Sequence, residues 1–257
     1  MASLSLFERQ RHILAQLQQE GRVSVSDLSD HFGVSTVTIR ADLSDLEERG
    51  ALARTHGGAV LLRPRIEPEP AFAQRRMARS EEKQRMGGAA AALVQDGEAI
   101  ALDASTSALA IAGWIKGRRE LTVVTNGLMI AIELADAAGV SVVMPGGILR
   151  GEAFSLVSDM GNGFLTQLNI SKGFFGARGL TVAEGLSDAD NYEVEMKRCL
   201  VAACKEVTAV VDSSKWGHLA VASFAPTERL DRIITDRAAP SAMVEQLRGR
   251  GVEVILV

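Results

Sequence analysis

The sequence predicts an α/β protein in two parts: a small helical unit ending in a hairpin, then a larger domain whose mostly parallel sheet is covered by helices. Three observations carry this. Strand-like apolar runs and helical stretches alternate through residues 80–257, as in a parallel sheet with helical crossovers. Three of the six prolines, Pro64, Pro68 and Pro70, crowd into a stretch with no apolar periodicity, which reads as an extended linker. Ahead of them, two short helical patterns meet at Gly33-Val34. The expected division is residues 1–62, a linker over 63–79, and residues 80–257. A chain of 257 residues is long enough for two cores.

In the first part, residues 6–19 carry Phe7, Ile13, Leu14 and Leu17 at loosely helical spacing, and Gly21 ends the run. Ser24-Val25-Ser26-Asp27 has the form of a capping box, with Asp in place of the usual Glu or Gln, and opens a helix through Phe32. Ser35 suits the N-cap of a third helix through Arg49, with Ile39, Leu43 and Leu46 on its core face and Gly50 after its end. Residues 52–60 fit two short strands around a turn. In the second part, strands are expected at 99–102, 121–124, 140–144, 173–175, 207–211, 232–234 and 252–257. Helices are expected at 80–94, 107–116, 128–137, 192–204 and 240–250.

Composition narrows the class. The chain is 47% hydrophobic and 23% charged, which argues against long disorder, and its net charge of −4 makes the whole molecule no obvious polyanion binder. No uncharged apolar stretch reaches the roughly 18 residues of a membrane helix. The longest, 104–115, stops at Lys116. Glu8 and Arg9 come early, without a basic-then-apolar leader, so the expected location is the cytoplasm, with no membrane partner. His12, His31, His56 and His218 lack ligand spacing, so neither a metal site nor a cofactor is expected. Cys199 and Cys204 fall in what reads as one helix, point to different faces, and read as buried thiols.

Two helices joined by a tight turn, the second beginning at Ser35, have helix-turn-helix geometry, which presents the start of the second helix to the major groove. With Ile39, Leu43 and Leu46 facing inward, Val37, Thr38 and Ala41 point away, flanked by Thr36 and Arg40. Thr36 and Thr38 suit phosphates or bases, Val37 a thymine methyl, and Arg40 a phosphate or guanine. Arg54 and His56 lie on the hairpin, the wing of a winged helix-turn-helix, where backbone or minor-groove contacts are natural. Residues 1–62 hold six arginines against eight acids, which counts against strong non-specific binding; residues 63–85 hold seven basic residues against four acids. On periodicity alone, a DNA-binding unit and a three-helix interaction module both remain open.

In open α/β sheets, ligands sit beyond the carboxyl ends of strands, where helix N-termini bind anions. The first expected strand ends in Asp103-Ala104-Ser105-Thr106-Ser107 and feeds a helix. Its three adjacent hydroxyls and free amides form a candidate phosphate cradle, although capping alone explains one hydroxyl. Thr125-Asn126-Gly127, Pro145-Gly146-Gly147, Phe175-Gly176 and Asp212-Ser213-Ser214-Lys215 end further strands and converge on the same edge if the sheet is parallel. Turn closure explains the glycines and Asn126 equally well, and Asp212 with Lys215 equally makes a surface ion pair worth about 0–1 kcal/mol.

Residues 34–43, then Leu46-Glu47 and Arg54-Thr55-His56-Gly57-Gly58-Ala59, resemble the signature of the DeoR family of bacterial transcriptional regulators. The second part resembles that family's sugar-binding domain, similar in fold to ribose-phosphate isomerase. The matching pieces are the Asp103 loop, Thr125-Asn126-Gly127, Gly146-Gly147, Phe175-Gly176-Ala177, Glu193 with Lys197, and residues 212–217. The resemblance implies a winged helix-turn-helix domain at 1–62 and a mostly parallel α/β effector domain at 80–257. It implies that Ser35, Thr36, Val37, Thr38, Arg40, Arg54 and His56 meet DNA. It also implies an effector site in which Ser105, Thr106 and Ser107 hold a phosphate, Asn126, Gly147 and Lys215 line the rest, and Asp212 accepts from a sugar hydroxyl. Asp103, Thr125, Gly127, Gly146 and Arg178 complete the expected site. The chain departs from the family at Ala41, where a second consecutive arginine is usual. It also departs at Ser105, where glycine is common, at Ser107, where threonine is, and at Arg178, where a small residue is.

The expected function is a regulator of double-stranded operator DNA, a repressor of a carbohydrate-utilisation operon. It would act as a homodimer or homotetramer and be released by a phosphorylated sugar or related small anionic effector. The helix at 80–94 is the expected relay. The alternative is a sugar-phosphate isomerase with an N-terminal interaction domain, for which Asp103, Glu193 and Asp212 are candidate general bases.

Overall fold

The computed structural model describes residues 6–48, 51–55, 57–60, 72–157, 162–165 and 167–257; Arg49, Gly50, His56 and linker residues 63–71 lie outside them. The chain divides into two compact units, Met1–Pro68 and Glu69–Val257.

The first unit runs α1 (Leu6–Glu20), β1 (Arg22–Ser24), α2 (Val25–Phe32), α3 (Thr36–Glu48), β2 (Ala53–Thr55) and β3 (Gly58–Val60). The helices α2 and α3 start where hydroxyls cap them. Ser24 Oγ accepts from the Asp27 amide and Ser35 Oγ from the Thr38 amide, each at 3.1 Å. Such a cap is worth about 1 kcal/mol. Ile13, Leu17, Leu28, Ile39, Leu43 and Leu46 close the core, with Arg9 and Asp42 joined as a buried ion pair between α1 and α3. The sequence reading missed β1. It pairs antiparallel with β3, giving the sheet order β1-β3-β2.

The second unit opens with α4 (Phe72–Met77), α5 (Ser80–Ala92), β4 (Ala99–Leu102), α6 (Thr106–Ile115), β5 (Leu121–Thr125), α7 (Leu128–Leu134) and β6 (Val140–Val143). A hairpin of β7 (Ile148–Arg150) and β8 (Ser155–Val157) and the short α8 (Asn162–Leu165) follow. Then come β9 (Ile170–Phe175), β10 (Gly179–Thr181), β11 (Gly185–Asp188), α9 (Asn191–Ala203), β12 (Cys204–Val210), β13 (Ala222–Ala225), β14 (Arg232–Thr235), α10 (Ser241–Gly249) and β15 (Glu253–Leu256).

Seven strands form one sheet in the order β15-β14-β12-β9-β4-β5-β6, with every pairing parallel. All seven overlap the expected apolar runs, with β9 and β12 each beginning three residues earlier than expected. Alternate residues feed two cores, one on each face. Ile100, Leu102, Phe174 and Ile234 pack with α5, α6 and α7, while Ala101, Phe175 and Ile233 pack with α9 and α10. Burial on both faces is why the inner strands carry apolar stretches rather than alternation, while the edge strands β6 and β15 are partly exposed. From β4 the chain winds to β5 and β6 on one side; from β9 it winds to β12, β14 and β15 on the other. The order therefore reverses between β4 and β9, a topological switch point. A small antiparallel sheet, β10-β11-β13, packs its buried residues with α9.

Two expectations need correction. Residues 72–79 are not linker: Phe72–Met77 is helix, and Phe72 is buried in the second unit's core. Cys204 does not share a helix with Cys199, because α9 ends at Ala203 and Cys204 opens β12. Neither cysteine is in a disulfide; Cys204 is buried, Cys199 only partly, and burial pushes the Cys204 thiol up to about 12.

Candidate functional site

In the first unit, the start of α3 is open to solvent. Thr36, Val37 and Arg40 are exposed, Val37 by 71%. A valine that open on a folded surface is notable because Ile39 and Leu43, on the opposite face of the same helix, are fully buried. Ser35 and Thr38 are bound to each other, their hydroxyls 2.9 Å apart, so capping occupies part of their capacity. Arg54 is exposed on β2, with its guanidinium donating to Ser44 Oγ at 2.8 Å and its amide to Glu47 at 2.9 Å. The wing is thereby tied to α3. His56 lies outside the described residues.

In the second unit, a cavity of about 310 Å³ lies at the switch point. The loop after β4 contributes Ser105, Thr106 and Ser107, and the loop after β9 contributes Gly176, Ala177 and Arg178. These loops press together: a Cβ on Gly176 would lie 2.5 Å from Ser105 Cβ, so only glycine lets them meet. Ser105 caps α6, its Oγ accepting from the Ala108 amide at 3.1 Å. The amides of Thr106 and Ser107 have no acceptor within the helix, which makes this end of α6 positive.

Beneath the wall lies a buried charge cluster. Lys197 Nζ is 2.9 Å from Asp103 Oδ2, 2.6 Å from Asp188 Oδ2 and 2.8 Å from the Gly176 carbonyl. Burial alone would lower the Lys197 ammonium, but the two carboxylates outweigh it and hold it above its ordinary value. Burial would raise Asp188, yet Lys197 and the Ala189 amide keep it below the usual carboxylate range. Asp103 is fully buried and also accepts from the Ser105 and Gly176 amides, so it braces the two loops rather than facing a ligand. Glu193 takes hydrogen bonds from Ser155 and Arg150, and burial pushes its carboxyl up despite them.

The remaining expected residues divide. Arg178 reaches the cavity with its Nε 3.9 Å from Asp188. Lys215 lines it too, and so does Asp212, which caps a short 3-10 turn and accepts from the Ser214 amide at 3.0 Å. Thr125, Asn126 and Gly127 do not line the cavity. Thr125 Oγ1 accepts from the Gly127 amide and Asn126 donates to the Leu156 carbonyl, so they build the turn behind Ala104. Gly146 and Gly147 are exposed after β6, the edge strand, two strands from the switch point. The sequence reading missed Gln74, Arg75, Arg79 and Lys83, which line the cavity from α4 and α5. Their only signal was the excess of basic residues at 63–85.

Six cations and three acids line the cavity, a surplus that favours an anionic ligand. Each of the three candidate general bases has a structural partner: Asp103 pairs with Lys197, Asp212 accepts from the Ser214 amide and Glu193 from Ser155. Among the described residues no cluster of His, Cys, Asp and Glu could hold a metal ion, and no helix is long and apolar enough to cross a membrane.

Known proteins agree with this division. Residues 9–65 match the family model for a DeoR-like helix-turn-helix domain and residues 78–237 that for the DeoR C-terminal sensor domain. The HTH-type transcriptional regulator GolR of Listeria innocua serovar 6a is 39% identical over 96% of this chain and 97% of its own. A putative aga operon transcriptional repressor of Escherichia coli O157:H7 is 34% identical over 97% and 93%. The glycerol-3-phosphate regulon repressor of Escherichia coli K12 is 30% identical over 97% and 99%. A ribose 5-phosphate isomerase A from Methanocaldococcus jannaschii overlaps 53% of this chain and 54% of its own at 15% identity and a TM-score of 0.41, too distant to bear on chemistry. An exposed start of α3 in a unit matched by the helix-turn-helix model, an anion-favouring cavity in a unit matched by the sensor model, and relatives named as regulators over nearly the whole chain lead to one conclusion: the chain belongs to the DeoR family of transcriptional regulators.

Proposed function

We propose that this regulator represses a carbohydrate-utilisation operon and is released by a phosphorylated sugar or a related small anionic metabolite. The observation that carries the effector class is the cavity at the switch point, where the N-terminus of α6 and a surplus of cations meet in a space suited to a small metabolite. One relative is named a glycerol-3-phosphate regulon repressor, which agrees with that class. Thr106, Ser107, Arg178 and Lys215 contact the effector, with the phosphate at the amides of Thr106 and Ser107. On the DNA side, Thr36, Val37 and Arg40 enter the major groove, and Arg54 with His56 touches the flanking backbone. A cytoplasmic homodimer or homotetramer places two such helices on paired half-sites. The effector acts by binding better to a quaternary arrangement that no longer matches the half-site spacing.

Mobility shift on promoter fragments from the gene's own surroundings tests this, with and without a panel of sugar phosphates. The wild type is expected to bind one fragment at low salt and to be released by a member of the panel. Thr106→Val is expected to bind that fragment as the wild type does and to lose release by at least tenfold in effector concentration. Intact release would remove Thr106 from the effector site. Arg40→Ala is expected to weaken operator binding by about 1–3 kcal/mol and to lessen the salt slope by about one. An unchanged affinity and slope would exclude Arg40 from the interface.

A further inference from the structure

The outer wall of the cavity comes from α4 and the turn after it, through Gln74, Arg75, Ala78 and Arg79. Three tethers hold this segment. At its start, the Phe72 amide donates to the Glu152 carbonyl at 3.2 Å, and the Phe72 ring meets Phe154 edge-on at 5.6 Å. At the turn, Arg79 adopts a left-handed backbone (φ 51°) and sets its Nε 3.5 Å from Asp212 Oδ1. At its end, Lys83 reaches back from α5 and donates to the Arg75 carbonyl and, at 2.6 Å, to the Ala78 carbonyl.

Lys83 is also a wall residue of the cavity, and it is only 7% exposed. Its two acceptors are neutral carbonyls, so an anion in the cavity would add the attraction of a full opposite charge, which neither carbonyl supplies. A helix of six residues is far below the length at which a helix stands alone, so α4 depends on its tethers. It is the first described element of the second unit, and it begins where the chain arrives from the winged unit.

We propose that Lys83 is a positioning residue that couples the effector to α4: an anion in the cavity draws the Lys83 ammonium off the Arg75 and Ala78 carbonyls and loosens the end of α4. The inference rests on the effector reading above. It moves the relay from the whole of helix 80–94 to one side chain on it and to a helix that the sequence reading took for linker.

The state of Lys83 gives an independent readout. Burial pulls its ammonium down to about 8. Lys215 and Arg75 push the same way, while Asp212 and Glu82 oppose. Above that pH an anion must recruit a proton to Lys83, so its affinity falls as pH rises. Glycerol 3-phosphate, a small phosphomonoester, is a suitable probe because its second ionisation is complete above about pH 7.

Two measurements on the full chain decide the matter. In hydrogen exchange, the probe is expected to slow residues 105–107 and to quicken residues 75–78. In calorimetry, its affinity is expected to fall about tenfold between pH 7.5 and 9.5, and Lys83→Arg is expected to flatten that profile. Slowing at 105–107 with no change at 75–78 overturns the coupling and leaves the effector reading standing. A flat wild-type profile does the same, even if Lys83→Arg does not fold. No effect at 105–107 from the probe or from any member of the sugar-phosphate panel overturns both.

Discussion

Replacing Lys197 by Met is expected to destabilise the second unit by about 3–5 kcal/mol, the usual consequence of stranding a buried charge. For a unit of this size that lowers the melting temperature by roughly 10 °C. Lys197 stands between Asp103 and Asp188, donates to the Gly176 carbonyl, and lies over the Phe224 ring at 4.8 Å. Methionine preserves the packing on Phe224 but removes the cation between the two carboxylates, leaving Asp188 only the more distant Arg178 at 3.9 Å. The pH dependence has a definite sign. In the wild type, Asp188 is held below its ordinary value, so its contribution is present above the usual carboxylate range and is lost as pH falls through its native value. In Lys197→Met, Asp188 loses the ammonium that holds it down and rises, so its protonation relieves the defect, and the gap to the wild type should narrow from pH 8 to pH 5. Asp188→Asn added to Lys197→Met should restore part of the loss, because the two sites are coupled. A gap that stays constant with pH would mean that the cluster is not held by charge. Thermal denaturation at the two pH values measures it.

That cluster also shows where the sequence stops being readable. The seven parallel strands were legible from their apolar stretches, although Lys172 in β9 and Lys205 and Glu206 in β12 cut the readable runs to 173–175 and 207–211; Ser24 and Ser35 were legible because capping needs a hydroxyl at one fixed position. The strands β10, β11 and β13 were not. They are three or four residues long, carry Gly, Ser and Asp, and include a register shift between Leu186 and Ser187. The helix α4 lay hidden behind the prolines. For the site, residue type identified the right end of the sheet but not the strand order. Ser105, Thr106, Arg178 and Lys215 reach the cavity because their loops flank the switch point or its neighbour β12. Gly146 and Gly147 have similar turn chemistry but follow the edge strand. Asn126 follows β5, one strand away, and its Nδ2 donates to the Leu156 carbonyl instead of facing the cavity. Asp103 has the polarity of a ligand contact, and only its distance to Lys197 reveals that it works beneath the surface.

The DNA-binding unit has an equally sharp weak point at Gly58, where Gly58→Ala is expected to destabilise by 3 kcal/mol or more. Overpacking a well-packed site commonly costs about 1–3 kcal/mol, and here the clash is with main chain. A Cβ at Gly58 would lie 1.9 Å from the Val23 carbonyl oxygen and 2.9 Å from Ser24 Cα. Neither atom can rotate away, so β1 must separate from β3 and the Ser24↔Gly58 and Val23↔Ala59 pairs are lost. The unit has little reserve to absorb this, since its core consists of ten buried apolar side chains among the described residues. Ser24 is in addition the cap of α2, so the disturbance reaches the helix-turn-helix. Operator binding is therefore expected to fall more than tenfold, while unfolding of the second unit stays where it is in the wild type. Gly57→Ala is the control: no heavy atom lies within 4 Å of its Cβ position, and it should behave as the wild type. Mobility shift and two-transition calorimetry on both variants separate the cases. If Gly58→Ala binds and melts like Gly57→Ala, β1 does not lie against β3 in the register described.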